Sequence, residues 1–311
     1  MEIVAGVDEA GRGPLAGPVV AAAVILPEKH DISGLKDSKK LSKKKREELF
    51  AIILKKAISI GIGQIDEKII DKINIREATF KAMRVALGKL NPKPDKALID
   101  GEQLPNQIIP NIGIVGGDDI EDSIKAASIV AKVTRDKIME EYSIIFPEYG
   151  FERHSGYGTK QHISSLEIHK SSPIHRKSFK PVKIRMPSFK WLIEQNKINW
   201  LGKKLAALYI KNLGMKILSL DIDCLPERIN IYAMDKKIHV YIKVFTLHEI
   251  NNLIIDESFL KYQSKVMVKN FSKLPENITK TVDIYRFDFI VVYLHKKQQP
   301  SFQYFKDIIE I

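Results

Sequence analysis

Residues 6–14 have the sequence Gly6-Val7-Asp8-Glu9-Ala10-Gly11-Arg12-Gly13-Pro14, which sets two adjacent acids between an apolar run and a glycine-rich turn. The apolar residues before the acids and those from Val19 to Leu26 predict two neighbouring strands joined by this turn. Adjacent carboxylates are seldom placed against a core unless a cation lies beside them. Glycines on both sides of Arg12 let a ligand approach the backbone closely. The run therefore indicates metal-assisted chemistry on a phosphate group.

The composition is that of a soluble globular protein with one large domain or two ordinary ones, since 44% of the 311 residues are hydrophobic and 28% are charged. No apolar run approaches the roughly 18 residues that cross a bilayer. The first residues carry no basic segment of the kind that begins a signal peptide. We therefore expect no membrane partner and a cytoplasmic location. The single cysteine, Cys224, excludes an internal disulfide framework and most thiolate zinc sites.

The net charge of +12 admits two interpretations. Lys and Arg provide the phosphate affinity of nucleic-acid-binding proteins, but a general bias of the sequence toward Lys, Ile and Asn would produce the same charge. Lys43–Lys45 open a predicted helix over residues 43–57, where cations oppose the helix dipole. Either a bound anion offsets this repulsion or the lysines form a solvated basic patch.

Acids follow several predicted strands, which is typical of a site in a mixed α/β sheet. Strands are predicted at Ala97–Asp100 and Ile112–Val115, the second leading into Gly116-Gly117-Asp118-Asp119, and a third at residues 58–64. Helices are predicted over residues 74–87, with Asn74 as N-cap and Gly88 just beyond the end, and over residues 123–142. A lone acid after a strand is usually a turn residue or an N-cap. Several such acids in one domain suggest convergence, which spacing alone does not establish.

Residues 151–180 are basic, poor in apolar residues and rich in histidine, and they contain His154, His162, His169 and His175. Zinc is disfavoured here because no cysteine lies nearby and no short paired spacing occurs. Tyr157, between two glycines, suits a platform for a sugar or base. The alternative is an ordinary polar loop and helix.

Residues 1–182 resemble the bacterial ribonuclease HII family through several long motifs in the same order. The motifs are Gly6–Val24, Asp37-Ser38-Lys39-Lys40-Leu41-Ser42, Ile99-Asp100-Gly101, Ala126–Asp136, Gly156-Tyr157-Gly158-Thr159 and Ser172-Pro173-Ile174-His175-Arg176. The resemblance implies a ribonuclease H-like fold, a mixed sheet flanked by helices. It also implies endonucleolytic cleavage of the RNA strand of RNA–DNA hybrids and at single ribonucleotides embedded in duplex DNA.

The same resemblance assigns roles to individual residues. The family's metal-binding carboxylates correspond to Asp8, Glu9, Asp100 and Asp118, with Asp118 preferred over its neighbour Asp119 because it follows Gly117. The loop that recognises the ribonucleotide and the ring that stacks near the ribose–deoxyribose junction correspond to Gly11, Arg12, Gly13 and Tyr157. Lys39 and the nearby lysines would then contact backbone phosphates.

Four carboxylates in one pocket repel one another, and divalent cations relieve that repulsion. Hard oxygen ligands favour Mg²⁺ or Mn²⁺, and two such ions support hydrolysis to a 5′-phosphate and a 3′-hydroxyl. The expected partners are RNA–DNA hybrids and ribonucleotide-containing DNA, and a monomer is the default. Two alternatives remain, a non-catalytic hybrid-binding protein and a nuclease directed at DNA.

About 130 residues follow this region, roughly one small domain. Residues 183–198 are predicted to be a basic linker. Residues 199–311, with a helix predicted from Gly202 and strands at residues 216–218, 229–233, 239–244 and 286–292, resemble the YraN family, which implies a smaller α/β domain with a restriction-endonuclease-like fold. The family's acids are replaced here by Lys203, Arg228, Asn230 and Tyr241. We predict a catalytically inactive domain that either holds nucleic acid or serves only as a packing partner.

Overall fold

The computed structural model describes residues 2–224, 227–248, 255–271, 284–296 and 298–308. Its internal contacts divide the chain into two compact units. The first contains Met1–Glu140 and Glu148–Met186, and the second contains Glu141–Pro147 and Pro187–Ile311. In each unit the described residues form a five-stranded sheet. Within the described residues, no helix has both the length and the apolar character that crossing a membrane requires.

The sheet of the first unit consists of β1 (Val4–Ala10), β2 (Val19–Ile25), β3 (Ser59–Ile65), β4 (Lys96–Asp100) and β5 (Asn111–Ile114). Its strand order is β3-β2-β1-β4-β5. The pairs β1–β2 and β2–β3 are antiparallel, whereas β1–β4 and β4–β5 are parallel. The predicted pairing across the glycine turn is therefore confirmed. The carboxyl ends of β1, β4 and β5 meet at one edge, where binding sites of such sheets gather.

Helices cover both faces of this sheet. They are α1 (Lys43–Lys56), α2 (Glu67–Ile73), α3 (Ile75–Gly88), α4 (Gly117–Ile120), α5 (Asp122–Ile145), α6 (Phe151–His154), α7 (Lys160–His169) and α8 (Lys180–Lys183). On β2, Ala21 and Ala23 pack in the cluster that contains Ala82 of α3, while Ala22 and Val24 pack with α1 and α5. A strand with helices on both sides is apolar throughout, which explains the continuous run of residues 19–25. The mixed sheet flanked by helices agrees with the predicted fold class.

Gly6 is the point of closest approach between β1 and the start of α5. A Cβ atom at residue 6 would lie 2.1 Å from the backbone carbon of Ser123 and 2.3 Å from the nitrogen of Ile124. Only glycine permits this approach, because the neighbouring atoms belong to backbone. The first turn of α5 is thus held beside Asp8, two residues further along β1.

Most elements of the first unit lie within a few residues of their predicted positions. The predicted cap is confirmed, because the Asn74 side chain accepts a hydrogen bond from the Glu77 N–H at the start of α3. Gly88 is the last residue of that helix, although the sequence placed it just beyond the end. The sequence did not indicate α2 and α4, whose seven and four residues are too few to display helical periodicity.

The second unit contains α9 (Phe189–Glu194), α10 (Ile198–Asn212), β6 (Lys216–Cys224), β7 (Glu227–Asp235), β8 (Ile238–His248), α11 (Glu257–Phe271), β9 (Tyr285–Leu294) and β10 (Ser301–Phe305). The strand order is β10-β9-β8-β7-β6, and only β8 and β9 pair in parallel. β7 and β8 form an antiparallel hairpin in which Asp235 pairs with Ile238. This second mixed sheet with helices agrees with the predicted class of a smaller α/β domain.

Two features of the second unit differ from the sequence-based expectation. The helix predicted to begin at Gly202 begins at Ile198, so Gly202 lies inside it. A glycine is required there because Thr246 packs against the helix, and a Cβ atom at residue 202 would lie 1.9 Å from Thr246 Oγ1. The segment predicted as a linker, residues 183–198, carries α9, whose N-cap Ser188 accepts from the Trp191 N–H.

Candidate active site

The parallel pairing of β1 and β4 brings two predicted ligands together. Val7 pairs with Ile99, so Asp8 and Asp100 come next on neighbouring strands at the same edge. β5 ends beside Asp100, and the chain then enters α4, which carries Asp118 in its first turn. One carboxylate oxygen from each of Asp8, Asp100 and Asp118 lies within 4.8 Å of the others. Two neighbouring parallel strands and the first turn of α4 therefore form one acidic cluster.

Burial disfavours the charged form of the acids in this cluster. Asp8 is 4% exposed, and its pKa is raised well above the usual value by burial and then by the nearby Glu9 and Asp100 carboxylates. The pKa of Asp118 is also raised, first by burial and then by Asp100 and Asp37. Buried carboxyl groups with raised pKa values are typical of metal and catalytic sites, where a bound cation offsets the free-energy cost of burying their charges.

Hydrogen bonds fix the orientation of Asp8. Its Oδ1 accepts from the Glu9 N–H at 2.6 Å, and the nearby Ser128 hydroxyl of α5 lowers its pKa, against the effect of burial. Ser128 in turn lies 2.9 Å, oxygen to oxygen, from the buried Ser38 hydroxyl. Sequence reasoning did not assign a role to either serine. The only available signal was a hydroxyl within the otherwise apolar run of residues 126–131.

The carboxylate of Glu9, the fourth predicted ligand, lies outside this cluster of three. Its Oε1 is 3.6 Å from an Arg12 guanidinium nitrogen. Burial raises the pKa of Glu9, while Arg12 acts in the opposite direction and Asp100 raises it further. Arg12, from the loop predicted to contact substrate, thus neutralises one acid of the site.

Lysines lie over the acidic cluster, at the turn Ser38–Lys40 that Asp37 caps. Lys39 Nζ is 3.6 Å from Asp118 Oδ2, and Lys40 pairs with Asp119. The Asp118 side chain is 10% exposed whereas that of Asp119 is 53% exposed. The structure therefore places Asp118 within the site and Asp119 at its surface.

Two buried arginines hold the glycine loop through its backbone. Arg176 donates to the carbonyl oxygens of Gly11 and Arg12 at 2.6 and 2.9 Å, and to Gly17 and Pro18 at 3.0 and 3.1 Å. Arg135 donates to Pro18 and Ala16 at 3.0 Å each. Burial lowers the pKa of Arg135 to about 10 and that of Arg176 to about 9, so both remain charged at neutral pH. Sequence reasoning missed these contacts, since nothing local links residues so distant in the chain.

Tyr157 lies against this loop. A Cβ atom at Gly13 would be 3.4 Å from Tyr157 Cε1, and the ring is 45% exposed. Gly11, with φ of +102°, has no room for a side chain because a Cβ atom would lie 2.1 Å from Arg135 Nε. The structure thus brings the loop and Tyr157 together.

Comparisons with known proteins cover this same region. The family model described as ribonuclease HII matches residues 5–182. The ribonuclease HII of Ligilactobacillus salivarius is 53% identical over 183 residues, which are 59% of this chain and 71% of that protein. The ribonuclease HII of Acetivibrio thermocellus is 56% identical over 178 residues, 57% of this chain and 70% of the relative.

Among solved structures, the ribonuclease H2 of Pyrococcus horikoshii OT3 is similar to this chain with a TM-score of 0.52 and 30% identity. That similarity covers 58% of this chain and 96% of the other. The family match contains all three converging acids, the glycine loop and Tyr157. On this evidence the chain belongs to the ribonuclease HII family and is a nuclease, a hydrolase of phosphodiester bonds.

Proposed function

We propose that this enzyme cleaves the RNA strand of RNA–DNA hybrids and also cuts at single ribonucleotides embedded in duplex DNA. The observation that carries the proposal is the cluster of Asp8, Asp100 and Asp118, with ligand oxygens within 4.8 Å, because Asp8 lies on the strand that continues into the Gly11–Gly13 loop. The acidic cluster, which would act on a phosphate, is therefore adjacent to the Gly11–Gly13 loop, which suits contact with a sugar.

The donor set fits a divalent cation such as Mn²⁺ or Mg²⁺, because all the converging groups are hard carboxylate oxygens. Asp8, Asp100 and Asp118 would hold it, joined by Glu9 after a turn of its side chain away from Arg12. When bound, a pair of such ions supplies positive charge to the phosphate and lowers the pKa of a water molecule. The proposed products are a 5′-phosphate and a 3′-hydroxyl.

The chain's own residues orient the substrate in this proposal. The 2′-hydroxyl distinguishes RNA from DNA, and Gly13, an exposed residue without a side chain, leaves its backbone accessible to it. The half-exposed ring of Tyr157 stacks on the adjoining nucleotide. Lys39, whose side chain is 79% exposed, exchanges Asp118 for a backbone phosphate. Removing Lys39 from Asp118 also leaves that carboxylate available as a ligand.

The test uses three duplexes, one with a single ribonucleotide, one RNA–DNA hybrid and one of DNA alone, each with Mg²⁺ or Mn²⁺. Cleavage 5′ of the lone ribonucleotide and throughout the hybrid strand is expected, with intact DNA. Binding without cleavage would favour the hybrid-binding alternative, and cleavage of the DNA duplex would favour a DNA-directed nuclease.

Asp118 and Asp119 provide a matched pair of variants for the site assignment. Asp118→Asn is expected to reduce turnover by at least about 100-fold, as losses of charge-stabilising groups commonly do. Asp119→Asn removes the same charge one residue away, from a side chain that is 53% exposed, and should retain most activity. The reverse ranking would assign this ligand position to Asp119 instead of Asp118.

We further propose that residues 199–311 are a YraN-like domain without catalytic activity, following a boundary near residue 182. In the described part of the chain, the acidic cluster of the first unit is the only metal-type group. In the second unit, Lys203 pairs with Asp221, and Asn230 Oδ1 accepts from the Val244 N–H at 2.8 Å. Positions that would carry nuclease acids are therefore engaged in other contacts.

The full-length Asp100→Asn variant tests this second proposal. Its first unit lacks one ligand of the acidic cluster, so turnover by that unit should fall at least about 100-fold, as in Asp118→Asn. Cutting of DNA or RNA near the wild-type rate would then come from elsewhere in the chain, and we expect none. Robust cleavage with Mn²⁺ would overturn the assignment of an inactive domain. The monomeric state and the cytoplasmic location remain proposals, and the former is testable by sedimentation.

A further inference from the structure

The first unit contains a buried histidine pair outside the acidic cluster. His162 of α7 and His175 are both 0% exposed, and their Nε2 atoms are 2.9 Å apart. We infer that this pair positions Tyr157 against the Gly11–Gly13 loop, so that both histidines are positioning residues for substrate recognition. The inference rests on the proposed role of Tyr157 in contacting the ribonucleotide junction.

Backbone groups at the two ends fix the direction of the hydrogen bonds. The Ser172 N–H can only donate, and it lies 3.0 Å from His175 Nδ1, which therefore accepts. The proton of a neutral His175 is then on Nε2, from which it is donated to His162 Nε2. His162 consequently carries its own proton on Nδ1 and donates it to the Tyr157 carbonyl oxygen at 2.9 Å. One tautomer of each ring satisfies the whole chain.

The pair connects the two parts of the proposed recognition site. The backbone of His175 forms an antiparallel bridge with Ala16, and the next residue, Arg176, holds the carbonyls of Gly11 and Arg12. The His175 side chain is hydrogen-bonded to His162, which is in turn hydrogen-bonded to the Tyr157 carbonyl. His175 and Arg176 thus connect the Gly11–Gly13 loop with Tyr157.

The surroundings of the pair favour neutral rings with fixed geometry. Tyr149 and Phe151 pack against both histidines, and His154 stacks on His162 with 4.8 Å between ring centroids. Burial lowers the pKa of His162 to about 4 and that of His175 well below its usual value. A proton added to His162 would go on Nε2 and face the Nε2–H of His175, and a proton added to His175 would go on Nδ1 and face the Ser172 N–H. A packing role alone would not require the hydrogen bond to Tyr157.

His162→Asn and His162→Leu form a matched pair because the two introduced side chains have nearly the same shape. Both remove the acceptor for His175, but the asparagine amide is able to donate to the Tyr157 carbonyl from about the position of Nδ1. We expect His162→Leu to lower kcat/KM on the single-ribonucleotide duplex by about tenfold, the upper range for one hydrogen bond. His162→Asn should retain activity within about threefold of the wild type.

The decisive measurement is a double-mutant cycle with Tyr157→Ala. If His162 acts through Tyr157, His162→Leu should have little further effect in the Tyr157→Ala background, and stabilisation of each variant by Mn²⁺ should match that of the wild type. Equal losses in both backgrounds, or equal losses for His162→Asn and His162→Leu, would overturn the inference. Wild-type protein that cleaves no duplex would instead contradict the proposed function itself.

Discussion

Replacement of Asp8 by asparagine is expected to stabilise the metal-free protein although it removes activity. Asp8 is 4% exposed and close to two other acids. Asparagine has nearly the same shape and keeps an Oδ1 to accept from the Glu9 N–H. The substitution therefore removes the charge and retains this hydrogen bond.

The magnitude follows from the geometry of the cluster. Two unit charges at the 4.8 Å limit of the cluster repel by roughly 3 kcal/mol at an effective dielectric constant of about 20. Asp8 takes part in two such pairs, one with Asp100 and one with Asp118. The cations Arg12 and Lys39 offset part of the repulsion, and protonation of Asp8 limits it. We expect a net gain of about 1–3 kcal/mol in the free energy of unfolding.

Hydrogen exchange is the suitable assay, because both tryptophans, Trp191 and Trp200, lie in the second unit and their fluorescence would not report on the acidic cluster. Peptides covering β1 and β4 should exchange roughly 5- to 100-fold more slowly in Asp8→Asn than in the wild type when a chelator is present. Added Mn²⁺ should increase protection strongly in the wild type and little in the variant.

A control and a clear refutation accompany this experiment. Asp31→Asn removes a carboxylate whose side chain is 86% exposed in the same unit, and it should change exchange of β1 and β4 little. Faster exchange of metal-free Asp8→Asn than of the wild type would show that the acids do not repel as described. Equal protection by Mn²⁺ in both proteins would show that Asp8 is not a ligand.

Two further predictions concern stability. Gly6→Ala would place a Cβ atom 2.1 Å from the Ser123 backbone carbon, so we expect a loss of about 1–3 kcal/mol or more in urea unfolding together with lower activity. Acidification should weaken the stability that His162 contributes around α7, because the unfolded chain takes up this proton near pH 6.5 whereas folded His162, flanked by His154, Tyr149 and His175, does so only near pH 4. The raised pKa values of Asp8 and Asp118 act in the opposite direction at the acidic cluster. His162 alone should cost up to about 3 kcal/mol between those pH values, measured by hydrogen exchange of α7.

Each of these predictions has its own internal control. Gly88→Ala adds the same methyl group where no atom lies within 4 Å, and it should leave stability unchanged or raise it by up to about 1 kcal/mol. Similar losses at residues 6 and 88 would mean that steric contact with α5 is not the cause. For acidification, His162→Leu should show a shallower dependence on pH than the wild type. An identical dependence would remove His162 as the titrating group.

The sequence indicated the positions of the acids, but it did not indicate the long-range contacts that hold the glycine loop beside them. Asp8 and Asp100 end apolar strands, and such ends are visible as local patterns that parallel pairing brings together. The roles of Arg135 and Arg176 depend on hydrogen bonds to carbonyls more than 100 residues away in the chain, which no local pattern encodes. At Gly202 a local pattern was misleading, because a glycine required for contact with Thr246 was interpreted as the start of a helix.

The way in which Arg135 and Arg176 hold the glycine loop has a consequence for how this enzyme can change. All the contacts that Arg135 and Arg176 make with the loop end on main-chain carbonyls, and none involves the Arg12 side chain, which pairs with Glu9. A substitution at residue 12 therefore leaves these contacts in place, although it removes the cation beside Glu9. Libraries randomised at that position offer a direct route to altered sugar selectivity on an unchanged scaffold.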